Sequence, residues 1–239
     1  MIDETKILVT GGRGLVGSCV RGNHKPSSAE LDLMDFKALN NYLHDNKIEY
    51  VIHSAALVGG VKENSEKLGE FFYKNMQMNL NVLEACRINN IKKVVSLLTT
   101  CIFPAENIKY PLTHDQLHNG PPHESNYGYA HAKRMLEVNS RAYRDQYGMN
   151  IVNIVPCNVY GPRDNFNLQS SHLVPGLIHK AFIAKQKNEP LKVWGDGSPM
   201  REFIYSEDLG KIIDWALQHY ELPEPLIVSS DNETSIKDV

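Results

Sequence analysis

The chain has 239 residues, 42% apolar and 22% charged, with a formal net charge of −3. That length suits one large core, or one domain and part of another, and the weak net charge offers no electrostatic reason to expect nucleic acid or an anionic membrane as partner. No apolar run approaches the ~20 residues that span a bilayer, and the opening "MIDETKILVT" lacks a basic-then-apolar leader, so a cytoplasmic location is expected.

In chain order, "KILVT" (6–10) is the first of four β-branched, nearly continuous apolar runs, the kind buried on both faces of a parallel sheet. It leads directly into "GGRGLVG", where Gly11, Gly14 and Gly17 keep a G-x-x-G-x-x-G spacing. Glycines there allow a tight turn, close backbone approach to a pyrophosphate and packing of the next helix on the strand. The N-terminus of that helix is expected to face the negative charge. Arg13 inside the loop is placed to meet a ribose 2′-phosphate, which favours NADP over NAD; a solvated loop arginine is the alternative. After Gly17 the expected helix and second strand have little room. "SCVRGNHKPSSAELDLMD" carries Pro26 and two serines where a strand belongs, so either the helix is very short or the second strand is missing. Asp32 and Leu33 remain the candidates for the adenine side.

The second run, "YVIHSAA" (50–56), precedes a helical pattern at 70–88, and the third, "KKVVSLLTTC" (92–101), ends in the hydroxyls of Thr99 and Thr100. Cys101 follows, and Pro104 stops the strand. A thiol at that edge serves as packing, as nucleophile or as base, and residue type alone leaves the three open. "HDQLHNGPPH" clusters His114, His118 and His123, but no cysteine or acidic ligand pattern accompanies them and the Pro and Gly content reads as a solvated loop rather than zinc. A second helix is expected over 128–147 with Gly148 as its C-cap. On it Tyr129 and Lys133 lie four apart, on one face. An ammonium beside a phenol favours the phenolate and lowers its pKa from ~10, so the pair suits proton transfer at a substrate oxygen while hydride moves at the carbon. Lys133 is also placed to hold a nicotinamide ribose.

The fourth run, "NIVNIVPCNVYG" (150–161), completes a strand and helix alternation that specifies a doubly wound parallel α/β sheet, Rossmann-like, over 1–161. Residues 162–239 have the character of a smaller substrate lobe with a strand and helix returning to the core. "KVWGDGSP" (192–199) and "REFIYSEDL" (201–209) suggest short strands and a turn, and "SEDLGKIIDWALQHY" has an apolar stripe at Leu209, Ile212, Ile213, Ala216 and Leu217. In "ETSIKDV", Ser235 and Asp238 resemble a capping box, which predicts a helix beginning there and a second lobe that is only partial. Four cysteines at irregular spacing point to free thiols.

The glycine loop, the hydroxyl-ended strand and Y-x-x-x-K together resemble the extended branch of the short-chain dehydrogenase/reductase superfamily. "TTCIFP", "HNGPP", "YGYAHAKRM", "NVYGPRDNFN", "SHLVPGLIHKA" and "VWGDGSPMREFIYSEDL" extend the resemblance, over essentially the whole chain, to its GDP-L-fucose synthase family, the GDP-4-keto-6-deoxymannose epimerase-reductases. The resemblance implies NADP(H), a GDP-sugar substrate and a homodimer through the helices at 70–88 and 128–147. It assigns Cys101 as the base beside the sugar's keto group, His172 as its partner acid, and Thr99 and Tyr129 as donors to the keto oxygen. It gives Gly11, Gly12, Arg13, Gly14, Leu15, Val16, Gly17, Ala55 and Ala56 to the cofactor, with Pro156, Cys157, Asn158, Val159 and His172 at the nicotinamide. Lys180, Trp194 and Arg201 fall to the nucleotide sugar. No metal is implied. Two other readings share these motifs: a different nucleotide-sugar epimerase or dehydratase, which the Cys101 and His172 pair argues against, and a non-catalytic short relative that binds nucleotide weakly or pairs with a full-length subunit.

Overall fold

The four apolar runs become parallel strands because each is buried on both faces, leaving no polar side of a sheet to expose. A computed structural model describes residues 2–239. β1 (Ile7–Thr10), β2 (Tyr50–His53), β3 (Lys93–Leu97) and β4 (Ile151–Pro156) pair in that order, and β7 (Leu226–Val228) adds to β4, so all five strands run parallel. The run at 150–161 does not make one strand: after Cys157 the chain leaves this sheet, and β5 (Asn158–Tyr160) joins β6 (Met200–Tyr205) and β8 (Glu233–Ser235) in a second, three-stranded sheet.

Helices cover both faces of the large sheet. α1 (Phe36–Asp45), α3 (Leu68–Ile88) and α4 (Tyr127–Tyr147) supply Leu39, Leu43, Val82, Leu83 and Leu136 to one core, with a short α2 (Val61–Glu66) ahead of α3. α6 (Ser206–His219) supplies Leu209, Ile213, Ala216 and Leu217 to the other, where Val20 also packs. Burial of each such leucine or isoleucine stabilises by about 1.5–3 kcal/mol. Asp35 starts α1 by accepting the Ala38 N–H at 2.9 Å, and Gly148, at φ +67°, ends α4. α5 (Leu173–Lys187) lies outside the two cores, between β5 and β6 in chain order.

Between β1 and α1 the chain is economical. Residues Gly17–Cys19 form one 3-10 turn, and a single parallel bridge, Leu8 to His24, stands beside β1. His24 is fixed by backbone bonds to Ile7 and Val9 and by its ring, 3.1 Å from both the Tyr42 hydroxyl and the Thr5 carbonyl.

Within the strands and turn expected over 192–209, β6 is the strand and 192–199 holds the turn. No strand forms at 192–199: Gly195 and Gly197 adopt φ of +72° and +77°, and Asp196 curls the segment by accepting from the Ser198 N–H and hydroxyl at 3.0 and 2.8 Å. At the end of the described residues, Ser235 closes β8 and opens a turn: its carbonyl accepts from the Asp238 and Val239 N–H groups at 3.0 and 3.2 Å, and its hydroxyl accepts the Asp238 N–H at 3.2 Å.

α4 approaches the start of α3 closely at Gly128, where an added Cβ would overlap the Leu68 carbonyl. Because Leu68 is backbone and cannot rotate away, Gly128→Ala should cost about 1–3 kcal/mol, read as a lower urea midpoint with unchanged m-value. An unchanged midpoint would mean that α4 is not held at this contact.

Candidate active site

A cleft of about 1240 Å³ lies at the carboxyl ends of β1 to β4, where open α/β sheets bind ligands. Every site residue named from the sequence lines it except Gly12. Gly12 is buried behind the loop, where a Cβ would meet the Lys25 side chain at 2.7 Å and the Val9 carbonyl at 2.9 Å, so its role is to let the loop fold.

At one end the glycine loop forms a bare backbone floor. A Cβ on Gly11 would stand 2.8 Å from Ala55, and one on Gly17 would overlap the Gly11 carbonyl, so neither site admits a side chain. The expected helix N-terminus is absent: Gly17–Cys19 is one 3-10 turn, too short for a useful dipole. Lys25 closes it instead, its Nζ donating to the Val20 and Ser18 carbonyls. Arg13 is not a free loop arginine either, because its Nη2 donates to Glu30 Oε2 at 2.6 Å. Asp32 is exposed and accepts the Met34 N–H at 2.9 Å, while Leu33 belongs to the core and only edges the cleft. With the backbone floor, Arg13 and the apolar strip Ala55–Ala56 all lining one cleft, the donor set fits a dinucleotide.

At the other end, Thr99 caps the 3-10 turn Thr100–Ile102 that carries Cys101, and its hydroxyl accepts the Cys101 N–H at 3.3 Å. α4 brings Tyr129 and Lys133 to the same place. The Lys133 ammonium is 2% exposed and donates to the Leu97 carbonyl, the last residue of β3, at 2.7 Å. Burial pulls its pKa down to about 8. The expected depression of the Tyr129 phenol does not occur. Burial, with a smaller contribution from Cys101, holds it above its ordinary value. Burial likewise raises the Cys101 thiol, against the opposing pull of the Thr99 hydroxyl. His172 reaches the cleft from the N-cap of α5, together with Pro156, Cys157, Asn158 and Val159 from the β4–β5 passage.

Farther out, Lys180 of α5 sits 4.7 Å above the ring of Trp194, which is 84% exposed. Arg201 of β6 donates to the Met200 carbonyl at 2.7 Å.

Sequence reasoning missed the polar string beneath this cluster. Thr10 Oγ1 and His53 Nδ1 lie 2.8 Å apart, His53 Nε2 and Asn79 Oδ1 3.0 Å, and Asn79 Nδ2 donates to the Ala132 carbonyl at 3.3 Å. The string ties β1, β2, α3 and α4 together one residue from Lys133. His53 is fully buried, and burial followed by the Lys133 charge lowers its pKa to about 4, so it is neutral at physiological pH. The available signal was a histidine ending an apolar strand and an asparagine on the inner face of α3, both needing buried partners.

Lys133 carries a pH signature. Its folded pKa of about 8 is below the ordinary 10.5, so between those values the unfolded chain binds the proton more strongly and stability rises with pH. The difference in unfolding free energy, wild type minus Lys133→Met, should therefore climb between pH 8 and about 10.5 in urea titrations at stepped pH. A flat difference would mean that the ammonium is not desolvated.

Residues 7–228 match the NAD dependent epimerase/dehydratase family. A GDP-L-fucose synthase of Dictyostelium discoideum is 44% identical, the match covering 98% of this chain and 77% of that protein. A GDP-L-colitose synthase of Yersinia pseudotuberculosis is 34% identical over 97% of this chain and 78% of its own length. The crystal structure of a GDP-L-fucose synthetase from Naegleria fowleri bound to NADP superposes with a TM-score of 0.90 at 37% identity, over 97% of this chain and 74% of that one. A parallel sheet with a glycine loop after β1, a Tyr129–Lys133 helix beside β3 and this degree of identity have one reading: the chain belongs to the NAD dependent epimerase/dehydratase family, among the GDP-L-fucose synthases.

Proposed function

We propose that the chain converts GDP-4-keto-6-deoxymannose to GDP-L-fucose, inverting the two carbons beside the keto group and then reducing it. The observation that carries this reading is the gathering of Thr99, Cys101, Tyr129, Lys133 and His172 on one cleft that begins at a glycine loop. Groups suited to two kinds of chemistry, proton exchange at carbon and reduction at a carbonyl, then face one cleft.

The glycine loop, Arg13, Asp32, Leu33, Ala55 and Ala56 hold the adenine dinucleotide. Pro156 to Val159, His172 and Lys133 hold the nicotinamide end. NADPH, when bound, supplies hydride to the keto carbon. Cys101 takes a proton from each carbon flanking the ketone and His172 returns one on the opposite face, while the Thr99 and Tyr129 hydroxyls donate to the keto oxygen and stabilise the enolate charge. Reduction needs a proton at that oxygen, so a donor that is protonated at working pH is the useful one. The burial that lifts the Tyr129 phenol supports this role, and the Lys133 ammonium then balances the phenolate left behind. Lys180 and Arg201 meet the diphosphate, and Trp194 offers a flat face to the nucleotide.

A second reading, a weak nucleotide binder that pairs with another subunit, is favoured by the single turn at Gly17–Cys19 and the single bridge at His24, which leave the adenosine side thinly built. For either reading we infer a homodimer through α3 and α4, which expose Phe72, Tyr73, Leu80, Ile88, Val138 and Tyr147. No helix among the described residues is long and apolar enough to cross a membrane, and four free cysteines suit the reducing cytoplasm.

Tyr129→Phe should lower NADPH consumption by about 10²–10⁴-fold and slow exchange of sugar protons with solvent much less, because Thr99 still donates to the keto oxygen. Cys101→Ala combined with His172→Asn should do the reverse to exchange. Because the Cys101 thiol is raised by burial, its ionised fraction and the exchange rate should increase as pH rises through neutrality. Exchange that survives the double variant would remove the acid and base assignment, and absence of NADPH binding would favour the second reading. In sedimentation, Leu80→Arg should convert a dimer to monomers, and an unaffected dimer would place the interface elsewhere.

A further inference from the structure

We propose that Glu30 sets the cofactor preference of the cleft: it closes a latch on Arg13 that a ribose 2′-phosphate must open. The proposal rests on the dinucleotide reading of the cleft and adds a residue that no motif in the sequence singles out.

One carboxylate oxygen makes the latch. Glu30 Oε2 accepts Arg13 Nη2 at 2.6 Å, the Ser27 N–H at 2.7 Å and the Ser27 hydroxyl at 2.8 Å. The last two bonds pin the glutamate to its own turn, and they hold its carboxyl below the usual range, so it stays ionised wherever Arg13 is charged. Arg13 has a further long contact from Nε to the Lys25 carbonyl, at 3.4 Å. Arg13, Ser27 and Ser28 line the cleft beside Leu31 and Asp32. Lys25, the neighbouring cation, is committed to the Ser18 and Val20 carbonyls. Arg13 is thus the guanidinium available to an anion at this end, and it is held by an anion already.

The consequence differs between the two cofactors. A 2′-phosphate must take Arg13 from Glu30 and sit near the carboxylate it displaces. A 2′-hydroxyl carries no charge and leaves the pair in place. The link between β1 and α1 makes this arrangement: the Ser27–Glu30 turn, closed by the Glu30 N–H on the Ser27 carbonyl at 3.0 Å, holds Glu30 within reach of Arg13. Glu30 therefore restrains NADP(H) binding and leaves NAD(H) binding alone.

Glu30→Gln keeps an acceptor for Ser27 and removes the charge. Titration with NADPH and with NADH, followed by cofactor fluorescence, should give NADPH binding tighter by about three- to fivefold, the range of an exposed ion pair, and NADH binding changed by less than about 1.5-fold. Ser27→Ala, which loosens the same oxygen, should move NADPH in the same direction by less. Arg13→Ala should weaken NADPH and, combined with Glu30→Gln, cancel the gain. Equal shifts for both cofactors, an unchanged NADPH affinity, or a gain that persists without Arg13 would each overturn the latch while leaving a working dinucleotide site. Failure of every form to bind either cofactor would overturn the latch and the dinucleotide reading together.

Discussion

A lysine with 2% exposure, bonded through its ammonium to the last carbonyl of β3, governs the geometry of this molecule's reactive end. A buried cation is costly unless its donors are met. The Lys133 to Leu97 contact meets one of them and in doing so fixes how far α4 stands from the sheet. Tyr129, one turn earlier on α4, is then carried over the end of β3, where Thr99 and Cys101 emerge. Beneath, the Thr10, His53 and Asn79 string holds the same helix to β1 and β2 through uncharged groups. A neutral imidazole is what this place requires, because a second positive charge beside Lys133 would be repelled, and that repulsion is part of why the His53 pKa falls.

The environment that assembles these groups also sets their protonation. Desolvation acts on Cys101, Tyr129 and Lys133, raising the phenol and the thiol and lowering the ammonium, so each of these is pushed toward its neutral form. For a reduction this suits the phenol, which has to start protonated. For the epimerisation it places the thiol among weakly ionised but strong bases, which ties the proposed exchange to pH. Burial thus biases the resting state of the phenol, the thiol and the ammonium by one physical cause.

Much of this was legible in the sequence. Continuous apolar runs give parallel strands, the G-x-x-G-x-x-G spacing marks the loop, and Tyr129 and Lys133 four apart must share a helix face. The crowding of Pro26 and the serines after Gly17 also announced an abbreviated link. What was not legible depends on side chains finding partners far along the chain. The pattern Y-x-x-x-K does not reveal that Lys133 would donate to a β3 carbonyl or that burial would raise the phenol. Nor does it show that Arg13 would meet Glu30, seventeen residues on, since that contact exists only because the link is short. His53 and Asn79 were passed over because a polar residue inside an apolar run reads as noise until its partner is known. Of the short strands and turn expected over 192–209, 192–199 supplies the turn for a local reason, two glycines at positive φ flanking an aspartate.

The central claim is that one cleft performs proton exchange beside a ketone and hydride delivery to it. It is tested most directly by running the purified chain with NADPH and GDP-4-keto-6-deoxymannose in D₂O and locating deuterium in the product sugar by NMR. The account predicts deuterium at the two carbons flanking C4 and protium from the cofactor at C4 itself. A reduced product with protium at both flanking carbons, or deuterium at C4, would contradict it.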